Sequence, residues 1–215
     1  MIEIISRIVG IGILPVIVLD DPGLARPLAD ALADGGLPCA EMTFRTARAA
    51  EALQLMAQDP RLLTGAGTVL TVAQVDAAVR AGAAYIVTPG YSRNVVRACQ
   101  ERSVPVIPGV ATPTEIQMAL ADGIDLVKFF PAEANGGINA LAAVAAPFPG
   151  VRFIPTGGVS PDNLSGYLAL PSVAAVGGSW MVPASLIARG DWAGISNLAA
   201  EAVAAVARYR PAEPR

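Results

Sequence analysis

The sequence predicts a single-domain α/β protein, a (β/α)8 barrel. Three observations carry that expectation. Short apolar runs alternate with amphipathic stretches rich in Ala, Leu, Glu and Arg; there are eight such runs; and almost every run ends in glycine or polar residues. Strands that read apolar on both faces, separated by helices, mean a parallel sheet with helices covering it. Eight of them suggest closure into a barrel, and 215 residues is the compact end of the range for that fold. A doubly wound open sheet is the rival, and periodicity does not separate the two.

The elements follow in order. Ile8–Leu19 reads as a short helix end, a turn at Gly10–Gly12 and a first buried strand over Ile13–Val18. It does not read as a signal segment, because Pro15 interrupts it, Asp20 and Asp21 follow at once, and no A-x-A site closes it. It is also too short to span a bilayer. The remaining strands are expected at Pro38–Thr43, Leu62–Ala66, Tyr85–Thr88, Val104–Ile107, Leu126–Phe129, Val151–Pro155 and Val173–Val176. Helical patterns fill Gly23–Asp34, Ala47–Gln58, Val72–Ala81, Arg93–Glu101 and Thr114–Ala121, and Ser160-Pro161 reads as a helix start with Pro at the first position. The barrel is expected to span residues 1–209, with a Pro-rich tail over 210–215 that frays.

Composition narrows the function. The chain is 53% hydrophobic and only 15% charged, so its core is large relative to its surface. Net charge is −3 with no basic block, which argues against a nucleic-acid partner. There is no histidine, which excludes His general bases, Ser-His-Asp triads and His-ligated metals. Cys39 and Cys99 form neither a CxxC pair nor a disulfide framework, which fits a reducing cytoplasm. Acidic residues are scattered and suggest no metal site; Gly10-Ile-Gly12 precedes a strand, so it is no dinucleotide fingerprint; and no P-loop is present. No cofactor or membrane is expected.

Active-site groups of a barrel lie at the C-terminal ends of its strands. Lys128, on the sixth strand, is the only lysine in the chain, against fourteen arginines. Burial in a low dielectric disfavours an ammonium, and a neutral amine is a nucleophile toward ketones. Arginine cannot substitute, because a guanidinium does not deprotonate in proteins. A packing role, or a pair with Asp125 or Glu133, is the alternative. Glu41 ends the second strand and could act as general acid/base, or simply bridge to Arg45. The Arg45 fork suits a carboxylate or a phosphate. Gly157-Gly158 and Gly177-Gly178-Ser179 follow the last two strands, where barrels often bind phosphate on backbone N–H groups; two tight turns are the alternative.

Two long stretches then resemble the signatures of the 2-dehydro-3-deoxyphosphogluconate (KDPG) and 4-hydroxy-2-oxoglutarate (KHG) aldolases. One is Gly36-Leu-Pro-Cys-Ala-Glu41-Met-Thr-Phe-Arg45; the other is Gly123-Ile-Asp-Leu-Val-Lys128-Phe-Phe-Pro-Ala-Glu-Ala-Asn-Gly136. GAGTVL, IPGVATPTE, PTGGVSPDN and GGSWMVP also resemble that family, in the same order, from about Arg7 to Val206. Met42, where Leu, Ile or Val would be expected, is a volume-conserving departure. The resemblance implies a metal-independent, Schiff-base (class I) aldolase, commonly a homotrimer, acting on a small 2-keto acid and an aldehyde phosphate. It implies Lys128 as the Schiff-base lysine and Glu41 as general acid/base. Arg45 and Thr68 would hold the substrate carboxylate, Pro89 and Phe130 would line the pyruvate pocket, and Gly157, Gly158, Gly178 and Ser179 would bind phosphate. KHG, the phosphogalactonate analogue and oxaloacetate are the alternative substrates of the same machinery. A non-catalytic phosphosugar-binding barrel is the alternative of another class.

Overall fold

The computed structural model describes residues 2–210. The sequence-predicted tail therefore lies, but for Arg210, outside the described residues. The chain opens with α1 (Ile2–Ile11), turns at Gly12 with φ 76°, and enters β1 (Ile13–Ile17). A 3-10 turn at Pro22–Leu24 leads into α2 (Ala25–Asp34), followed by β2 (Cys39–Thr43), α3 (Ala49–Met56) and β3 (Leu63–Gly67). Next come α4 (Val72–Arg80), β4 (Ile86–Val87), α5 (Arg93–Glu101), β5 (Val106–Ile107), β6 (Gly109–Val110) and α6 (Pro113–Ala121). The last part holds β7 (Leu126–Phe129), α7 (Gly137–Ala145), β8 (Arg152–Pro155), α8 (Pro161–Leu168), β9 (Val176–Gly178), α9 (Ala184–Arg189) and α10 (Trp192–Tyr209).

Helix starts follow their sequence signals. Thr71 accepts from the Gln74 N–H and so caps α4. Thr112 and Glu115 form a capping box on α6, with Pro113 at the first position. Asp191 accepts from the Gly194 N–H at the start of α10.

All strand pairs are parallel, in the orders β5-β4-β3-β2-β1-β9 and β6-β7-β8. Segments β5 and β6 are two halves of one course, parted at Pro108, which has no N–H to give the ladder. The Pro108 carbonyl instead accepts from the Lys128 N–H at 2.9 Å. On the other side, Thr156 bridges Gly177 and Phe153 bridges Val173. The two sheets thus meet at both ends, and nine segments make eight staves. Neighbours in the ring are neighbours in sequence, with no reversal of strand order. That settles the choice between barrel and doubly wound sheet. The eighth strand lies a few residues later than the apolar run Val173–Val176 predicts, because Gly177 and Gly178, not Val173, pair with Leu14 and Pro15 of β1.

Helix α1 lies across the N-terminal opening, where Ile2 and Ile5 face Val104, Pro105 and Leu126 at the bottoms of β5 and β7. Among the described residues only six polar or charged side chains are buried: Glu41, Thr43, Thr64, Thr88, Lys128 and Thr156. All but Thr64 sit on, or just beyond, the C-terminal halves of strands. So the interior is apolar except where the sites of chemistry are expected.

Glycines on β3 make that interior possible. A Cβ on Gly65 would lie 2.3 Å from the Tyr85 ring, and one on Gly67 would lie 2.1 Å from Glu41 Oε1. The Tyr85 ring therefore fills the barrel below Glu41, and its hydroxyl donates to the Ala40 carbonyl at 2.7 Å. Thr43 Oγ1 donates to Ile17 O at 2.7 Å and Cys39 Sγ to Ile13 O at 3.1 Å, tying β2 to β1. Both cysteines are free and buried. Replacing Gly65 by Ala should overpack the interior and destabilise the fold by about 1–3 kcal/mol; urea denaturation of parent and variant measures the difference, and equal stability would refute the account of Gly65.

Candidate active site

Strand β2 carries Glu41 inward, in register with Val16 on one side and Gly65 on the other. Strand β7 carries Lys128 inward, in register with Gly109 and Ile154. Closure of the ring brings these side chains, 87 residues apart, to 3.1 Å between Lys128 Nζ and Glu41 Oε1. Lys128 is 4% exposed and Glu41 1%. The pair is an ion pair inside the barrel, which pays off desolvation only with good geometry. Glu41 Oε2 is buried with no hydrogen-bond partner among the described residues. A buried acceptor left open in this way is satisfied by a water or by a substrate hydroxyl.

The alternative partners are engaged elsewhere. Asp125 bridges Arg152 at 3.4 Å, and Glu133 accepts a hydrogen bond from the Tyr167 hydroxyl. Arg45 does not bridge Glu41; among the described residues its guanidinium has no ion-pair or hydrogen-bond partner. It is exposed, at the rim above β2. The Phe130 ring lies 5.2 Å from Lys128 Nζ, within cation–π range.

A cavity of about 330 Å³ lies on the far side of Phe130; neither Lys128 nor Glu41 is part of its wall. Arg45 and Phe130 form part of its wall, with Val16 and Val18 from the β1 side. Thr156, Gly157, Gly158, Val159, Gly178 and Ser179 form the rest. Six of the sequence-predicted site residues thus meet in one space. Gly157 and Gly158 take φ of 99° and 81°, where glycine is at ease. Among the described residues, the N–H groups of Gly158 and Val159 make no hydrogen bond to the protein. Free N–H groups in a tight turn make a concavity suited to an anion.

Thr68 and Pro89 do not line that cavity. Thr68 follows β3 with φ 55°, an unusual conformation for a residue with a side chain, and is half-buried. Pro89 follows β4 and lies against Gly109, where a Cβ would come 2.3 Å from the Pro89 carbonyl. Gly109 is the register partner of Lys128, so Pro89 approaches the lysine from the β4 side. Thr156 was missed as a site residue, although its position directly after the seventh barrel strand was a usable signal. The roles of Gly65 and Gly67 were missed as well, because the space they leave is claimed by residues on other strands.

The fold and the site together define a (β/α)8-barrel enzyme built around a buried amine and carboxylate beside a glycine-lined pocket. The family model described as "KDPG and KHG aldolase" matches residues 4–198. A 2-dehydro-3-deoxy-phosphogluconate aldolase of Treponema pallidum is 49% identical over 92% of this chain and 95% of that one. The KHG/KDPG aldolase of Escherichia coli is 45% identical over 89% of this chain and 90% of that one. Among solved structures, the KDPG aldolase of Legionella pneumophila, with pyruvate captured at low pH as a covalent carbinolamine intermediate, superposes with TM-score 0.86. It is 44% identical and covers 88% of this chain and 93% of its own. The 2-keto-3-deoxy-6-phosphogluconate aldolase of Zymomonas mobilis with 3-phosphoglycerate gives TM-score 0.89 at 41% identity, covering 93% and 95%. The chain belongs to the KDPG and KHG aldolase family, a family of lyases.

The ion pair has a thermodynamic signature. Lys128→Met alone leaves the Glu41 carboxylate buried without its partner and should cost about 3–5 kcal/mol. Adding Glu41→Leu should recover most of that loss. Urea denaturation of parent, single and double variants checks the coupling; additive effects would mean that the two groups do not interact.

Proposed function

We propose that the chain is a Schiff-base aldolase that cleaves 2-keto-3-deoxy-6-phosphogluconate to pyruvate and glyceraldehyde 3-phosphate. The observation that carries this reading is the 3.1 Å approach of Lys128 Nζ to Glu41 Oε1 in the barrel interior. Glu41 Oε1 is placed to take a proton from the Lys128 ammonium and release the amine. The amine adds to the C2 ketone, giving a carbinolamine; Glu41 returns its proton to the departing hydroxyl, and loss of water leaves a protonated imine beside a Glu41 that is again a carboxylate. Glu41, directly or through a water, takes the proton of the C4 hydroxyl. The C3–C4 bond breaks, its electrons move into the imine, and the aldehyde leaves. The enamine is protonated at C3, with Glu41 returning the proton, and hydrolysis frees pyruvate and Lys128. Acid/base help of this kind supplies roughly 10²–10⁴-fold.

Binding roles follow from residue type and place. Arg45 and Thr68 hold the substrate carboxylate, and Pro89 and Phe130 enclose the pyruvate half. Gly157, Gly158, Gly178 and Ser179 take the phosphate. A relative with pyruvate bound as a carbinolamine supports amine–ketone addition, and one with 3-phosphoglycerate supports a phosphorylated ligand. KHG and oxaloacetate share the pyruvate half, so Lys128, Glu41 and Arg45 do not discriminate among them; the glycine turns favour the phosphorylated substrate. The assembly we propose is a homotrimer, a reading the family resemblance supports, in which subunit contact would cover exposed apolar side chains such as Leu70, Val72 and Val79. We place the enzyme in the cytoplasm; among the described residues no helix is long and apolar enough to cross a membrane.

Lys128→Arg should keep the fold and abolish cleavage. Borohydride with pyruvate should leave a covalent adduct on Lys128 in the parent only, read by peptide mass spectrometry; full activity in the arginine variant would sink the imine mechanism. Ser179→Ala should raise KM for the phosphorylated substrate more than for an unphosphorylated keto acid. An equal effect on both in steady-state kinetics would remove Ser179 from the phosphate site.

A further inference from the structure

We propose that Glu133 is a positioning residue for the anion end of the pocket, holding the Gly157–Gly158 turn through a strut completed by Tyr167. The inference rests on the phosphate assignment made above.

Glu133 lies in the segment between β7 and α7 and is not part of the cavity wall. Its backbone N–H donates to Gly157 O at 3.0 Å, and the Ala132 N–H donates to Thr156 O at 2.8 Å. The turn after β7 is thus hydrogen-bonded to the residues that follow β8. A trans peptide points its N–H opposite to its carbonyl. Fixing Gly157 O toward Glu133 thus aims the Gly158 N–H away from Glu133. The next peptide is fixed in the same way: Asn163 Nδ2 donates to Gly158 O at 3.2 Å, which aims the Val159 N–H the opposite way. These are the two N–H groups of the turn without a protein acceptor.

The Glu133 side chain presses on the same turn. A Cβ on Gly158 would lie 2.6 Å from both Cβ and Cγ of Glu133, so the glycine folds directly over this side chain. The carboxylate then accepts from the hydroxyl of Tyr167, a fully buried residue of α8. Helix α8 begins at Pro161, just after the turn, so Glu133 is tied to the turn at its start and to the helix that leaves it. Burial first, and Glu133 second, push the Tyr167 phenol above its usual range, so it stays a donor across physiological pH.

A carboxylate beside an anion site opposes the anion by charge alone. Its place there makes sense as geometry: the side chain sets the turn, and the tyrosine hydroxyl offsets part of its charge. Glu133→Ala removes the strut, whereas Glu133→Gln keeps an oxygen that accepts from Tyr167 and removes only the charge.

The test compares the parent, Glu133→Ala, Glu133→Gln and Tyr167→Phe. Steady-state kinetics are run on 2-keto-3-deoxy-6-phosphogluconate and on 2-keto-3-deoxygluconate, the same substrate without phosphate, with inorganic phosphate as competitive inhibitor. Glu133→Ala should raise KM for the phosphorylated substrate and the inhibition constant of phosphate by about tenfold, with kcat within about twofold. Its KM for the unphosphorylated substrate should not move. Tyr167→Phe should shift the same two constants less, and Glu133→Gln should restore parental values. If Glu133→Ala changes both substrates equally, or lowers only the melting temperature, Glu133 is merely structural and the inference falls. If phosphate does not inhibit the parent, the phosphate assignment falls and takes the inference with it; inhibition of the parent with no selective change in Glu133→Ala overturns the inference alone.

Discussion

The constraint on which the rest of the structure depends is a pair of charges inside an apolar barrel. Taking a carboxylate and an ammonium out of water costs several kcal/mol per ion, recovered only if they meet at close range. Lys128 and Glu41 meet at 3.1 Å, and neither strand could achieve that alone. The ring must close so that β7 faces β2, and the residues around the pair must be small enough to admit it. Gly67 gives Glu41 its room, Gly109 lets Pro89 approach from the side of Lys128, and Gly65 leaves space for the ring of Tyr85. An apolar interior of the same volume would be simpler to stabilise.

The pocket divides by chemistry. At one end is the Phe130 ring, 5.2 Å from the Lys128 amine, which with Glu41 lies outside the cavity wall. At the other are backbone N–H groups of a turn that has no side chains to hold its shape. Such a turn takes its conformation from its neighbours, and here they are Glu133, Asn163 and the start of α8. Arg45 stands at the rim between the two ends, exposed and without a protein partner among the described residues.

Much of this was legible before the structure. Lys128 stood out as the only lysine in the chain, placed within an apolar run. Glu41 stood out as a carboxylate closing a strand, and the paired glycines as turns at the end where barrels bind phosphate. What could not be read was who partners whom. Glu133 was a candidate counter-ion for Lys128, and Arg45 for Glu41, because sequence nearness was the only guide to contact. Instead Glu133 turns to Tyr167, 34 positions away, and Glu41 turns to Lys128 across the barrel. The eighth strand was misplaced by a few residues, since its glycines look like loop until a neighbouring strand claims their hydrogen bonds.

The sequence by itself determined the period of the fold, the number of strands, the residue types available for chemistry and the end of the barrel where they lie. These depend on local pattern: apolar runs, capping residues and glycine positions. Tertiary structure alone decided that the sheet closes and which side chains face each other across it. It also decided which glycines are space for a side chain and which are turns. Those outcomes depend on register and ring closure, and both are set by hydrogen bonds between strands far apart in the chain.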